Sequence, residues 1–200
     1  MSKLESLSAF DGIATPGRYG KAEGEAGAIV SERKDLGLAS VEMRKGQSEA
    51  LKAAVQTDYG VDLPDGPTVA QGKGVSFIGT GPGQWFAVSE TLNNEMLADE
   101  LAAKLTGLAS IADQNSSRAV LRLSGAHARD VLAKGFPIDL DPRVFPPGAA
   151  ATGNISHMGV LVWRDGDNYD IALFRSLAGS FWGWLTSSAA EYGCEVVTTS

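Results

Sequence analysis

The chain has 200 residues, of which 44 % are hydrophobic and 20 % charged, a balance inside the globular range and outside the disordered, collagenous and coiled-coil ones. Its net charge is −7, with 9 basic against 15 acidic side chains in residues 1–100 and 8 against 9 in the rest; the densest basic pairs, Arg33-Lys34 and Arg44-Lys45, are too sparse to release the counterions of a polyphosphate backbone, so neither nucleic acid nor an anionic membrane is expected as a partner. A single cysteine, Cys194, no leader-like pattern over Met1–Phe10 and no apolar run near the roughly 18 residues of a membrane span predict a cytoplasmic protein without internal disulfides.

Residues 1–35 hold Gly12, Gly17, Gly20, Gly24 and Gly27 among scattered apolar positions such as Leu4, Leu7, Phe10 and Ile13. Such a stretch cannot build its own core, so an extended amino-terminal arm is expected, either a free tail or a segment that orders against a partner chain. One globular domain is expected over 36–200. Ala39–Met43 alternates apolar and polar as a half-buried strand does, and Gln47–Val55 follows helical spacing. Val75–Ile78 and Trp85–Val88 flank the glycine-rich turn Gly79-Thr80-Gly81-Pro82-Gly83, a hairpin pattern. A second helix is expected with Ser89 as its cap, Glu90 in its first turn, and an apolar stripe of Leu92, Met96, Leu97, Leu101 and Leu105. Ala109–Ala112 closes the set as a strand, giving the order βαββαβ.

The same order follows again. Ala119–Leu123 reads as a strand, and Ser124 is placed to cap a helix carrying Ala128, Val131 and Leu132. Gly159–Trp163 and Tyr169–Leu173 flank Asp165-Gly166-Asp167, which is Asp-Gly hairpin chemistry. A helix over 179–191 and a strand at Cys194–Val197 finish the half. Val75 to Val160 is an offset of 85 residues, Trp85 to Tyr169 of 84 and Ile111 to Val196 of 85, and Val61-Asp62-Leu63-Pro64 is echoed by Ile138-Asp139-Leu140-Asp141. The predicted fold is therefore α+β, an internal duplication of a ferredoxin-like βαββαβ unit with pseudo-repeats at about 39–114 and 118–198. Two such units pack together and leave a groove between them.

Motifs for chemistry are sparse. Gly79–Gly83 runs into a strand where a dinucleotide fingerprint would open a helix, and Gly66 and Gly72 enclose five residues before Lys73-Gly74, which does not fit a phosphate loop. Cys194 falls in the last strand, where an inert buried thiol is expected. Two histidines thirty residues apart and one distant cysteine give no metal spacing, so no catalytic, cofactor or metal residue is assigned. His127 is expected at the edge of its helix stripe and Asp165 and Asp167 as solvated turn residues. His157, in the run leading into the third strand of the second half, is a candidate groove residue. On a helical wheel the main stripe of the last helix centres near 50° from Phe181, while Trp184 falls at about 300° beside Leu177 at about 320°. Leu177, Phe181 and Trp184 are therefore the candidate partner interface, because tryptophan is enriched in binding hot spots.

Several stretches carry a resemblance: Ser110–Arg118, Gly125–Gly135, Ile138–Leu140, Thr152–His157, Phe174–Ser176 and Ser180–Leu185. Together they resemble the gamma subunit of heterotetrameric sarcosine oxidase, most specifically from about Gly107 to Val197. Asn115 stands where that family more often has Ser, a departure confined to the linker between strands. The resemblance implies a fold similar to the folate-binding domain of aminomethyltransferases and a small subunit beside larger alpha and beta chains and a small delta chain. It also implies that the assembly oxidatively demethylates sarcosine to glycine with hydrogen peroxide and passes the one-carbon unit to tetrahydrofolate. FAD, FMN and NAD are implied for the partner subunits and no cofactor for this chain. Two function classes remain: a non-catalytic assembly subunit, or a stand-alone folate-binding one-carbon transfer module using the groove between halves. Against the second, the sequence supplies no convincing aspartate-plus-arginine clamp for pterin and glutamate.

Overall fold

The computed structural model describes residues 8–198 apart from Asn94. In chain order its elements are β1 (Gly17–Tyr19), β2 (Ala28–Glu32), β3 (Gly37–Met43), α1 (Ser48–Tyr59), β4 (Val69–Gln71), β5 (Ser76–Gly81), β6 (Gln84–Ser89), α2 (Glu95–Lys104), β7 (Ala109–Asp113), β8 (Arg118–Ser124), α3 (Ala128–Ala133), β9 (Ala150–Ile155), β10 (Met158–Asp165), β11 (Asn168–Phe174), a 3₁₀ turn (Arg175–Leu177), α4 (Ala178–Ala189) and β12 (Cys194–Val197). The strands form a sheet ordered β4-β5-β6-β3-β7 and another ordered β1-β12-β2-β8-β11-β10-β9.

Strand alternation sorts the buried side chains into three apolar layers. In the first half Ala39, Val41, Phe77, Trp85 and Ala87 turn toward α1 and α2 and pack with Leu51, Val55, Leu97 and Leu101. In the second, Leu121, Leu123, Val160, Val162, Ile171 and Leu173 turn toward the other helix pair and pack with Val131, Leu132, Phe181 and Leu185. The opposite strand faces meet each other: Leu38, Ile78, Phe86 and Val88 of one sheet bury against Val120, Leu161, Trp163 and Ala172 of the other. The result is helices, sheet, sheet, helices, with helices on one face of each sheet as a split βαβ unit requires. The paired edge strands also touch: Thr68 and Ala149 form an antiparallel bridge, with Val69 N–H donating to Gly148 O and Ala150 N–H to Pro67 O, both at 2.8 Å. The echoed motifs behave alike, since Leu63 and Leu140 are each 4 % exposed beneath their own helix layer.

The duplication is thus present, with β5-β6-β3-β7 and β10-β11-β8 in matching order. Several expected details are corrected. Of the arm expected over 1–35, residues 1–7 lie outside the described residues. The remainder contributes β2 to the interior of the larger sheet, parallel to β12 and antiparallel to β8, and β1 to its edge beside β12. Ala28-Ile29-Val30 is a short apolar run, β-branched at Ile29 and Val30, whose alternate positions Ala28 and Val30 are buried; flanking glycines obscure it. The edge strands β4 and β9 were likewise not expected. Ser89 does not cap α2. It ends β6, and its hydroxyl donates to Gly74 O and accepts from Leu92 N–H, closing a local turn. The chain there crosses β3 so closely that a Cβ on Gly37 would sit 1.8 Å from Leu92 O. The helix starts only at Glu95, which leaves Met96 exposed. Ser124 likewise ends β8 opposite Ile29, and α3 begins after His127 with no side-chain cap.

Candidate functional site

Between the two sheets the apolar layer ends in two cavities, one toward each end of β8. The first has a volume of about 390 Å³ and is lined by Arg33, Glu90, Arg122, Arg164, Asp165 and Asp170, among others. Asp170 is 2 % exposed although it sits in the middle of β11. A carboxylate there must be paired to be tolerated, and its cross-strand neighbour Arg122 donates from Nε to Oδ1 at 2.8 Å and from Nη2 to Oδ2 at 2.7 Å. This two-pronged geometry is the strongest a guanidinium offers. Arg122 Nη2 also reaches Asp165 at 2.7 Å.

Arg33, in the loop after β2, ties this cluster to the other half. Its Nη2 donates to Asp35 at 2.9 Å and to Glu90 at 2.6 Å, and its Nη1 lies 3.6 Å from Asp170. Burial opposes the Arg33 charge, but the hydrogen bonds to Asp35 and Glu90 and the charge of Asp170 outweigh it and hold the guanidinium above its ordinary value. The hydrogen bond from Arg33 holds the Asp35 carboxyl below the usual range, against desolvation, and that to Asp170 raises Arg122. These charges are engaged with one another, and they fasten the amino-terminal segment, β6 and β11 together.

The cavity at the other end, about 380 Å³, is lined by Ser40, Gln84, Phe86, Gln114, Arg118, Thr152, Leu161 and Phe174, with others. Arg118 lies on the same face of β8 as Arg122, four residues earlier. Its cross-strand neighbour on β11 is Phe174, and the guanidinium carbon sits 3.6 Å from the centre of that ring. Gln114 is occupied, donating to Ser40 Oγ and accepting from Ser117 Oγ.

The sarcosine oxidase gamma subunit family matches residues 45–191 of this chain. The chain belongs to that family. It is 30 % identical over 179 residues to a sarcosine oxidase subunit gamma of Corynebacterium sp. (strain P-1), covering 88 % of each chain, and 32 % identical over 149 residues to one from Arthrobacter sp., covering 73 % and 72 %. A chain of the heterotetrameric sarcosine oxidase from Corynebacterium sp. U-96, solved in complex with pyrrole 2-carboxylate, superposes with a TM-score of 0.78 at 27 % identity, over 94 % of this chain and 96 % of that one. Aminomethyltransferase T of the glycine cleavage system from Bartonella henselae shares the fold, with a TM-score of 0.60 at 17 % identity over 86 % of this chain and 48 % of that one.

In this gamma-subunit fold the residues singled out from the sequence do not converge. His157 sits exposed at the tip of the two-residue turn joining β9 and β10 and lines neither inter-sheet cavity. Phe181 is 0 % exposed, which removes it from any direct contact with a partner; its ring, 5.5 Å from that of Trp184, backs the tryptophan from below. Trp184 is half-buried, its indole lying so close over Gly135 that a Cβ there would be 2.7 Å away. Leu177 is half-buried as the last residue of the 3₁₀ turn. His127 stacks on Tyr192 with ring centres 4.4 Å apart and holds Asp130 at 2.7 Å. Asp165 and Asp167 are exposed as expected, and Asp165 also meets Arg122. The residues that sequence reasoning passed over are Arg33, Arg118, Arg122 and Asp170. A charged residue inside an apolar strand, as in Val120-Leu121-Arg122-Leu123 and Tyr169-Asp170-Ile171, is the signal that marks two of them.

Proposed function

We propose that this chain is the non-catalytic small subunit of a cytoplasmic heterotetrameric sarcosine oxidase, assembled with larger alpha and beta chains and a small delta chain. On this reading the oxidative demethylation of sarcosine to glycine, the flavins and NAD, and transfer of the one-carbon unit to tetrahydrofolate belong to the partners. The observation that carries it is the inter-sheet space. Where a groove between the halves would take a substrate, apolar side chains fill the middle, and the ionisable groups at the Arg33 end satisfy one another. Leu177 and Trp184, each half-buried near one end of α4 or in it, are the proposed partner contacts on the outer layer.

The test is purification of the chain alone and with its native complex. The expected result is co-elution with flavin-bearing chains from the cell, and neither flavin absorbance nor sarcosine oxidation by the isolated polypeptide; turnover by the isolated chain would overturn the proposal. Trp184→Ala is expected to weaken association more than folding. Titration of the isolated chain with tetrahydrofolate should give no saturable heat, whereas micromolar binding would favour a folate-carrying module.

A further inference from the structure

Arg122 and Arg118 occupy the same face of β8, and the difference between them is what lies opposite on β11. Opposite Arg122 is Asp170, which takes both prongs of the guanidinium; opposite Arg118 is Phe174. Arg118 Nε is buried and has no hydrogen-bond partner among the described residues, and burial lowers the guanidinium from its ordinary value. A buried donor left unmade costs free energy that a carboxylate would recover. Phe174, on which the guanidinium rests, is 44 % exposed and is one of the few large apolar side chains open to solvent among the described residues. Arginine beside an exposed aromatic ring is the composition of an interface hot spot.

We propose that the Arg118 end of the inter-sheet cleft is the docking site for an aspartate or glutamate side chain of a partner subunit, held by the guanidinium while the same segment of the partner covers Phe174. This rests on the assembly role proposed above. A charge-complementary partner fits better than a free anion. The chain's net charge of −7 repels small anions from solution, whereas a carboxylate carried on a docked polypeptide arrives at high effective concentration.

The experiment uses the full-length chain co-expressed with its partner subunits, comparing wild type, Arg118→Met, Arg118→Lys and Phe174→Ala. Arg118→Met is expected to weaken association about 10- to 100-fold, as loss of a charge-assisted interfacial pair does. The unfolding midpoint of the free chain should stay unchanged or rise, because the unpartnered buried donor is gone. Arg118→Lys should recover part of the affinity, and added salt should weaken wild-type association more than that of Arg118→Met. Phe174→Ala should weaken association to a smaller extent. Association of Arg118→Met equal to wild type, or a loss of free-chain stability that accounts for the whole loss of association, overturns the proposal. So does millimolar benzoate that saturates the free chain through Arg118 while the variant assembles normally, since the source is then a small carboxylate. If wild type itself does not associate, the assembly role falls as well; if wild type associates and Arg118→Met matches it, only the docking site falls.

Discussion

The two halves repeat one topology and close it differently. In the first, β7 pairs directly with β3 over five residue positions, from Ala39 opposite Asp113 to Met43 opposite Ala109. In the second, the equivalent strands β12 and β8 never meet; β2, from far earlier in the chain, lies between them. The same divergence sets the inter-sheet charges, because the loop that leaves β2 delivers Arg33 to Asp170. Duplication supplied the scaffold, and the inserted strand turned one copy into a larger sheet whose closure depends on the amino-terminal segment.

The largest expected effect follows from that dependence. Removing residues 1–35 deletes three ladders, two of four positions through β2 and one of three through β1. At about 1 kcal/mol net per hydrogen bond, together with the burial of Ala28 and Val30, the loss is on the order of the whole stability of a domain, so the second half should lose cooperative unfolding. Cys194 reports it directly, since its register partners are Tyr19 and Ala28. Burial pushes its thiol up to about 11, so at pH 8 it should resist thiol reagents in the intact chain and react readily in the truncated one. A raised thiol pKa also gives a contribution to stability that is complete below the unfolded value near 8.5 and is lost as pH rises toward 11. A truncated chain that stays folded with Cys194 protected would mean that β12 slides over to pair with β8, as β7 does with β3, and the contrast between the halves would break.

Next in size is Asp170→Ala. Breaking a buried pair leaves Arg122 with only the exposed Asp165 as its carboxylate partner and costs about 3–5 kcal/mol by general experience, measurable as a fall in the denaturant midpoint. The variant sharpens the comparison along β8: removing a charge at the satisfied end should destabilise the free chain strongly, while Arg118→Met at the other end should not.

Why some of this was legible in the sequence and some not is clear from the same residues. The eight strands and four helices of the two repeats announce themselves by period-2 or period-3.6 patterning, because each buries one face against a continuous layer. β2 carries the same signal over only five residues, and the glycines around it belong to sharp turns and close approaches: Gly125 brings its backbone against Gly27, where a Cβ would lie 2.6 Å from Gly27 O. Helix starts were misplaced at Ser89 and Ser124 because a capping residue is equally able to close a strand-end turn, and tertiary contacts decide between the two. The candidate site was the least visible part. Arg118 follows Ser116-Ser117 at the start of its strand and Arg122 lies between Leu121 and Leu123, but only the cross-strand register shows that Arg118 faces Phe174 and Arg122 faces Asp170.

The smallest expected effect concerns the edge hairpins, which again differ between halves. The first half joins β4 to β5 through Gly72-Lys73-Gly74-Val75, with Gly74 at φ +76°. The second joins β9 to β10 through Ser156 and His157 alone, at φ +46° and +71°. Positive φ at both positions of a two-residue hairpin is the geometry that Asn-Gly adopts without strain. Side chains at both positions therefore carry a conformational cost that a purely structural turn would not retain. Ser156→Asn combined with His157→Gly should raise stability by about 0.5–1 kcal/mol, read as a small increase in thermal midpoint. If the same variant assembles with partner subunits as well as wild type, His157 has no part in recognition and the strain is incidental. If stability rises while association weakens, the turn is held strained in order to present the imidazole, and the second copy differs from the first at this edge for a reason of binding.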